Sequence, residues 1–577
     1  MRYITAVAAT LLSASGLFAQ SIEESLTVEG RYTPEVIAAD RLPVGPAAVA
    51  IAPPATELDN DLSGVAVNFP PDALSMPATG WRTSKAFDSS RGYIDLMLGS
   101  WLNSSLSAGV AAINNTDTKL NIRLQHNSTS LWQAWKADYE NGYPYAADKR
   151  FRYDETLGAE FTHRFAGAGT LNADLQYHLG YFNYYGARKG YLKTENNGET
   201  GLSAPTQTLN DIYARVGWTA ATGTPFSYGI DADVRYFGYR ANYRPTALTA
   251  IGHEFHKSKG TRETEINVGG NIGYAFSGSS RLTAELEYSV VTRNYVGNLN
   301  RVRVTPGYEY TSDNITLHAG AELAVVSAGE TRFRIAPDVR FTARSGNVAF
   351  SAKIGGGTHL RTMAWRHQMN YYDCPETYSN VAYTPLEAML ALQFNPGGKW
   401  TIGIEGLWRT TLDETFGGRY MEYLNVADPL SSAFWWSGTS GFHGEGTTHR
   451  IHGFSIGVNA GYEFCKYFGV KGKANWQPQH GNSGILNGFD RAAITGTLTA
   501  VSHPIDALDI CLDYNLRAKR LTGLGLISRL NLGADYRINE KWSVGIELNN
   551  LLNRHEYAMP YQPIEGFTAM GGVQILF

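Results

Sequence analysis

The sequence predicts an all-β fold: a transmembrane antiparallel β-barrel of about 22 strands, with short periplasmic turns and long extracellular loops. Three observations predict it: alternating apolar and polar positions, connections whose lengths alternate along the chain, and a final strand with one apolar face. Between positions 171 and 181 the odd residues are Leu, Ala or Tyr, and the even ones are Asn, Asp, Gln, His or Gly. Such period-two segments fit a lipid-facing wall around a wet lumen.

Composition narrows the class of protein. Only 18% of the 577 residues are charged, while Tyr reaches 34 and Gly 61. Beyond the amino-terminal run, no apolar stretch approaches the ~20 residues of a spanning helix, which excludes a helical membrane protein. A net charge of −4 argues against a nucleic-acid partner. The odd, widely spaced cysteines at positions 374, 465 and 511 do not form a disulfide framework.

The connections between predicted strands support the barrel. Tight turns near 166–169, 277–279, 345–346, 395–398 and 539–540 all follow even-numbered strands, and the long connections follow odd-numbered ones. Short turns on one rim and long loops on the other are typical of outer-membrane barrels. The predicted strands lie near 91–99, 103–112, 118–127, 151–165, 170–182, 206–218, 225–239, 261–276, 280–294, 300–311, 313–327, 330–344, 347–358, 381–394, 399–410, 447–463, 466–476, 490–503, 507–518, 524–538, 541–551 and 567–577.

The two ends of the chain fit an exported barrel. Residues 1–19 predict a secretory signal peptide, with one Arg before an apolar run rich in small residues. Residues 20–90 predict a proline-rich periplasmic or lumenal segment, and residues 91–577 the barrel. Phe567, Val573, Ile575 and Phe577 form one apolar row of the last strand. We expect these four residues to close the barrel against the first strand and to act as its assembly signal.

The carboxy-terminal segment also carries a resemblance to a known family. Asn549–Arg554, a loop with Tyr557 and Tyr561, and a last strand ending in Phe resemble the end of a TonB-dependent receptor barrel. The resemblance implies 22 strands, the outer membrane of a Gram-negative bacterium and its lipid bilayer as surroundings, and transport. Near the amino-terminus, Leu26, Thr27, Val28 and Glu29 look like a TonB box, which implies TonB as a partner.

One departure from the family concerns the plug domain that its members carry before the barrel. The prolines between residues 31 and 91 number eight, which excludes a mixed α/β plug there. The lumen of a barrel this wide needs a seal. The proline-rich segment, inward-folded loops and a partner protein stay open as its source. Within the segment we expect Leu62–Trp81 to lie inside or across the periplasmic mouth, anchored by Val65, Val67, Phe69, Leu74 and Trp81.

The predicted outer loops offer little chemistry. His443, Glu445, His449 and His452 have the residue types of a transition-metal site, although solvated loop histidines are the favoured interpretation. Tyr371 is expected on the outer rim, as an interface anchor or in loop packing. No catalytic constellation is recognised, so we predict no enzyme and no cofactor.

Two function classes remain at this stage. The first is uptake across the outer membrane by a receptor-like barrel, alone or with a partner. The second is a non-transporting scaffold or docking subunit of an envelope complex, for which a lipoprotein or periplasmic protein is the expected partner. The TonB-box-like segment favours the first class, and the missing plug pattern favours the second.

Overall fold

A computed structural model gives the fold of the barrel. It describes residues 62–63, 91–132, 149–183, 190–193, 199–200, 206–221, 224–249, 252–294, 297–369, 371, 379–395, 399–414, 449–477, 492–520, 525–554, 556–559 and 562–577. The main sheet has 23 strands. One of them is the two-residue strand Leu62–Ser63, and the other 22 form a closed antiparallel barrel, as predicted.

Each barrel strand pairs with the next one in the chain. The strands are β1 Gly92–Gly99, β2 Ser104–Asn114, β3 Thr118–Trp132, β4 Lys149–Phe165, β5 Gly169–Asn183, β6 Thr206–Ala220, β7 Phe226–Tyr239, β8 Arg262–Ala275, β9 Ser280–Arg293, β10 Leu299–Thr311, β11 Ile315–Ala328, β12 Glu330–Ser345, β13 Val348–Arg361, β14 Asn380–Phe394, β15 Trp400–Glu414, β16 His449–Cys465, β17 Phe468–Trp476, β18 Ala492–Ile505, β19 Leu508–Arg520, β20 Ile527–Arg537, β21 Trp542–Asn549 and β22 Thr568–Leu576. The single α-helix in the described part of the barrel loops, α1, spans Met363–Met369.

The last strand closes the barrel against the first. Ile575 lies opposite Ile94 in the antiparallel ladder between β22 and β1. The terminal Phe577 adds two backbone hydrogen bonds: its N–H donates to the Gly92 carbonyl over 3.0 Å, and its carbonyl accepts from the Gly92 N–H over 2.8 Å. Closure removes both sheet edges, which would otherwise expose unpaired backbone groups to lipid.

The connections follow the predicted parity. All those after even-numbered strands are short, and the shortest are 346–347, 466–467 and 506–507. The longest, 184–205, 240–261 and 415–448, follow odd-numbered strands. Four connections on the long-loop rim are short: Gly329 alone, with a φ of 91°, a turn that contains a 3-10 helix at Ser100–Leu102, and residues 294–298 and 521–526. All the long connections therefore lie at one end of the barrel, which we call the long-loop end.

The outer face of the barrel is apolar. Alternate residues of each strand point outward, and large apolar side chains there are strongly exposed, including Leu98 at 59%, Ile230 at 57% and Leu390 at 59%. Aromatic pairs such as Trp400 and Tyr462, with ring centroids 4.1 Å apart, lie at the short-turn rim. An apolar band edged by aromatic residues is what a transmembrane barrel presents to a bilayer. Among the described residues, no helix is long and apolar enough to cross a membrane.

Some loop segments at the long-loop end form strands of their own. A four-stranded sheet contains residues 190–193, 199–200, 241–249 and 252–259, and the last outer connection contains a hairpin of residues 556–559 and 562–564. Leu62 and Ser63 pair in parallel with Ile451 and His452, at the long-loop end of β16.

Candidate functional site: a hairpin tucked into the lumen

The lumen wall is lined with charged side chains from neighbouring strands. Arg235 and Asp211 form a bidentate ion pair with nitrogen–oxygen distances of 2.8 and 2.6 Å. Farther round the wall, Glu387 accepts from Lys353 over 2.8 Å and lies 3.6 Å from Arg409. These pairs lie on the polar parity of the strands, so they face a hydrated lumen rather than lipid.

At the long-loop end, one hairpin leaves the wall. The ladder between β12 and β13 stops at the pair Val339 and Ile354, although β12 continues to pair with β11 as far as Glu330. Strand β13 keeps only β14 as its partner, up to the pair Arg361 and Asn380. The outer half of the β13–β14 hairpin has therefore separated from β12.

Glycines at the point of departure allow this bend. A register shift in the β13–β14 ladder falls between Gly355 and Gly357. A Cβ at Gly356 would lie 2.3 Å from the Thr384 carbonyl oxygen. Gly357 has a φ of +129°, and a Cβ there would lie 2.4 Å from a Glu322 carboxylate oxygen. Only glycine fits both constraints without strain. We call residues 355–384 the tucked hairpin; residues 355–369, 371 and 379–384 of it are described.

Side chains bridge β12 to β15 and to the base of the hairpin in β14. Asp413 of β15 forms ion pairs with two arginines of β12, at 2.7 Å to Arg334 and 3.4 Å to Arg332. The Tyr383 hydroxyl donates to the Ile335 carbonyl, and the Arg334 guanidinium lies 4.7 Å from the centre of the Tyr383 ring. These contacts hold the wall together where the β12–β13 ladder is missing.

The hairpin lies against the inner wall rather than in free solvent. Leu360 and Val381 pack on an apolar cluster formed by Val291 of β9, Leu299 of β10 and Val326 of β11. This cluster is buried inside the barrel, away from the lipid face. The cluster buries apolar side chains on the inward face of the strands, where period-two alternation predicts polar residues in contact with water.

Polar contacts with β10 and β11 fix the same part of the hairpin. The Glu322 carboxylate accepts from the Thr358 N–H over 2.7 Å and from its hydroxyl over 2.8 Å. The Arg301 guanidinium donates to the Thr358 carbonyl over 2.9 Å. Both main-chain groups of Thr358 are therefore satisfied by lumen-wall side chains instead of by β12.

One buried carboxylate holds both ends of the segment that contains α1. Glu263 of β8, 2% exposed, accepts from the Met363 N–H over 2.9 Å and from the Ser379 hydroxyl. Arg293 of β9 donates to the Ser379 carbonyl over 2.7 Å. At the start of α1, the Thr362 hydroxyl accepts from the Trp365 N–H over 3.3 Å in a helix-capping arrangement.

A second carboxylate, Asp154 of β4, holds the far end of the described segment. It accepts from the Tyr371 hydroxyl over 2.8 Å and from His178 over 3.1 Å, and it pairs with Arg152. The Arg152 guanidinium lies 3.8 Å from the centre of the Tyr371 ring. We call Glu263 and Asp154 the anchor carboxylates of the tucked hairpin.

His367 of α1 is buried among aromatic rings. Its Nδ1 lies 3.0 Å from the Tyr239 hydroxyl, and its ring centre lies 5.5 Å from that of Phe237 and 4.6 Å from that of Tyr371. Burial, and to a smaller extent the nearby His178, lower the pKa of His367 to about 3. The imidazole is therefore neutral at physiological pH.

Most residues singled out from the sequence are not brought into this site. In the last strand, Val573 faces Leu96 across the closure, while Phe567 precedes the strand. The His452 ring nitrogen lies 2.9 Å from the Thr410 hydroxyl, and no group of three metal-ligating side chains occurs in the described ranges. The following lie outside the described residues or, for His449, have no described side chain: Leu26, Thr27, Val28, Glu29, Val65, Val67, Phe69, Leu74, Trp81, His443, Glu445 and His449.

Inward-folded loops are one of the three predicted sources of a lumen seal, but the sequence does not indicate that this hairpin is the one that folds inward. The sequence placed Tyr371 on the outer rim, whereas the structure places it inside the lumen, 6% exposed. The glycine triplet Gly355–Gly357 was the available signal, because three glycines interrupt a strand that otherwise alternates. The anchor carboxylates gave no signal of their own, since polar residues are expected on every lumen face.

Comparison with known proteins identifies the fold. No protein-family model matches the chain, and no curated protein matches it in sequence. Among solved structures, a ferric enterobactin receptor (PfeA) variant from Pseudomonas aeruginosa aligns with a TM-score of 0.61 at 10% identity, over 84% of this chain and 80% of that chain. The FrpB iron transporter from Neisseria meningitidis gives 0.59 at 11% identity, over 84% and 82%.

Two further structures agree. The ferripyoverdine receptor of the outer membrane of Pseudomonas aeruginosa gives a TM-score of 0.58 at 10% identity, over 85% of this chain and 72% of that chain. The siderophore receptor PirA from Acinetobacter baumannii gives 0.60 at 10% identity, over 84% and 80%. This chain therefore has the transmembrane barrel fold of outer-membrane receptors.

Proposed function

We propose that this chain is an outer-membrane transport barrel that takes up a nutrient with the help of a partner protein. The observation that carries the proposal is the charge-lined lumen, with the tucked hairpin held against its inner wall at the outer end. An open barrel of this diameter would breach the permeability barrier of the outer membrane. A hairpin that lies inside the lumen therefore favours passage of selected solutes over free diffusion. The likeness in fold to receptors and an iron transporter supports the same function class.

Iron chelates are the substrate class to test first. The solved structures with this fold are named for ferric enterobactin, ferripyoverdine, siderophores and iron. A TonB-like energising protein is the proposed partner, because the segment around Leu26–Glu29 resembles a TonB box.

Uptake of labelled iron tests the proposal. Cells that lack the chain, cells with the full chain and cells whose chain lacks residues 26–29 would be given radioactive iron as ferric enterobactin or ferripyoverdine. We expect uptake of at least one chelate only with the full chain, and its loss when a protonophore removes the energy source. Equal uptake by all three strains would contradict an iron-chelate substrate, and full uptake without residues 26–29 would contradict the coupling segment.

The alternative is a scaffold or docking subunit of an envelope complex. The observation that favours it is the eight prolines between residues 31 and 91, where family members carry a plug. Purification in mild detergent separates the two functions. The scaffold would be favoured if a lipoprotein or periplasmic protein co-purified in an amount equal to that of the barrel and if cells with and without the chain took up iron chelates equally.

A further inference from the structure

We propose that the described part of the tucked hairpin, residues 355–369, 371 and 379–384, is a releasable constriction that narrows the outer half of the lumen. It is held by the two anchor carboxylates, Glu263 and Asp154, and hinged at Gly355–Gly357. This inference goes beyond the proposed uptake function. It concerns how wide the lumen is, so it applies whether the barrel transports a solute or serves as a scaffold.

The contacts of the hairpin trace its path along the inner wall. It leaves the wall at β13 and meets Glu322 of β11 and Val291 of β9. It then meets Glu263 of β8 and ends its described path at Asp154 of β4. A segment that contacts the inner faces of β11, β9, β8 and β4 occupies space that would otherwise be lumen.

The attachment of the hairpin differs from that of the strands around it. Above Ile354 it forms no ladder with β12 in the described part of the wall, and side chains of the lumen wall hold it there instead. Backbone ladders are removed only by unfolding a strand, whereas hydrogen bonds to Glu263 or from Tyr371 can break while the barrel remains intact. In β14 the ladder with β15 reaches Tyr383, opposite Leu412, so release of the hairpin up to residue 382 leaves the backbone ladders of the wall in place.

The wall is also closed without the hairpin. Asp413 of β15 binds Arg332 and Arg334 of β12, so β12 and β15 are joined across the place that β13 and β14 would occupy. Movement of the hairpin would therefore leave these charge-assisted contacts in place. The arrangement fits a constriction inside a complete wall better than a strand pair that has slipped out of register.

Single-channel conductance in planar bilayers tests the constriction. The variant Glu263→Ala/Tyr371→Phe removes the anchor contacts of both carboxylates but leaves the pair of Asp154 with Arg152. Its matched control is Glu265→Ala/Tyr288→Phe, which alters the next lumen carboxylate of β8 and a tyrosine on the outer face. We expect the anchor variant to conduct roughly threefold more than the control or better, because release widens the lumen. Equal conductance of the anchor variant and its control would contradict the idea that loss of the anchor contacts releases the hairpin.

A deletion tests directly whether the hairpin narrows the lumen, even if the anchor variant does not release it. Residues 362–379 would be replaced by a short Gly-Ser linker, both in the full chain and in a chain that also lacks residues 43–85. Folding of each variant is checked by heat-modifiable migration on gels. A rise in conductance in either background supports the constriction, and a rise only in the second shows that residues 43–85 form a further seal. Unchanged conductance in both backgrounds, with folded barrels, would overturn the proposal.

Discussion

At the scale of single residues, His367 is a group whose burial is expected to make docking of the tucked hairpin sensitive to pH. Its pKa is about 3 where it is buried, against an ordinary value of 6.5. Because the pKa is lower in the docked hairpin, a proton binds more tightly to the undocked one. The contribution of His367 to docking is therefore complete above pH 6.5 and is lost as the pH falls from there toward 3.

We accordingly predict that acidification from pH 7.5 to pH 5 loosens the hairpin. The measurement is the labelling rate, by a membrane-impermeant maleimide, of a cysteine at position 364, where Ala364 is 1% exposed in α1, after the three native cysteines are replaced by Ser. At each pH this rate is divided by that of a cysteine at an exposed position, because the reactive thiolate becomes scarcer as the pH falls. The imidazole is surrounded by other titratable or charged groups, which also influence the pH dependence of labelling: His178, Asp154, Arg152, Arg235, Tyr239 and Tyr371. His367→Asn should flatten the pH dependence, and an unchanged dependence in that variant would refute the role of His367.

Gly357 is the residue whose backbone sets the bend. We predict that Gly357→Ala destabilises the docked hairpin by about 1–3 kcal/mol, because a side chain at positive φ is strained and would strike Glu322. The same maleimide labelling of a cysteine at position 364 would report faster opening. Gly406→Ala is the matched control, since a Cβ there meets nothing within 4 Å. Equal labelling rates in the two variants would show that the bend does not depend on this glycine.

At the scale of elements, the last strand carries the closure. Ile575 pairs with Ile94 on one side and with Trp542 on the other, and Phe577 extends the ladder to Gly92. We predict that deletion of residues 575–577 sharply lowers the level of barrel in the outer membrane, because β1 and β21 would keep unpaired backbone groups in lipid. Immunoblots of outer-membrane fractions and heat-modifiable migration measure this.

The control for that deletion is Phe577→Tyr, which keeps an aromatic end on the strand and should restore most of the protein. Normal abundance of the truncated chain would show that closure tolerates a shorter β22. A low level of Phe577→Tyr would show instead that the terminal side chain is read more strictly than closure alone requires, as an assembly signal would be.

At the scale of the whole molecule, loop parity sets the orientation in the membrane. Connections 184–205 and 415–448 lie at one end of the barrel, and the turn 166–168 lies at the other. We predict that cysteines placed near 187–205 or 414–444 react with impermeant reagents on intact cells, whereas cysteines at Ala166–Gly169 react only after the outer membrane is permeabilised. The reverse pattern would place the long loops in the periplasm and reject this orientation.

The sequence by itself determined the barrel. Alternation from Leu171 to Tyr181, the parity of turns and loops, and the final row at Val573 and Ile575 are local patterns, and neighbouring strands pair in chain order. Period two specifies which side chains meet lipid, so strand number, faces and closure could be predicted from residues close together in the chain.

Only the tertiary structure decided what lies in the lumen. Asp154 and Tyr371 are 217 residues apart, and Met363 and Glu263 are 100 apart, so no local pattern links them. Alternation shows that Asp154 and Glu263 face inward, but it does not show which inward group meets which. These pairings depend on the hairpin, which separates from β12 beyond Ile354. Packing on Val291, Leu299 and Val326 favours its position inside the lumen over a position in the wall. The glycines of β13 permit the bend, and the folded barrel supplies the surface that makes it favourable.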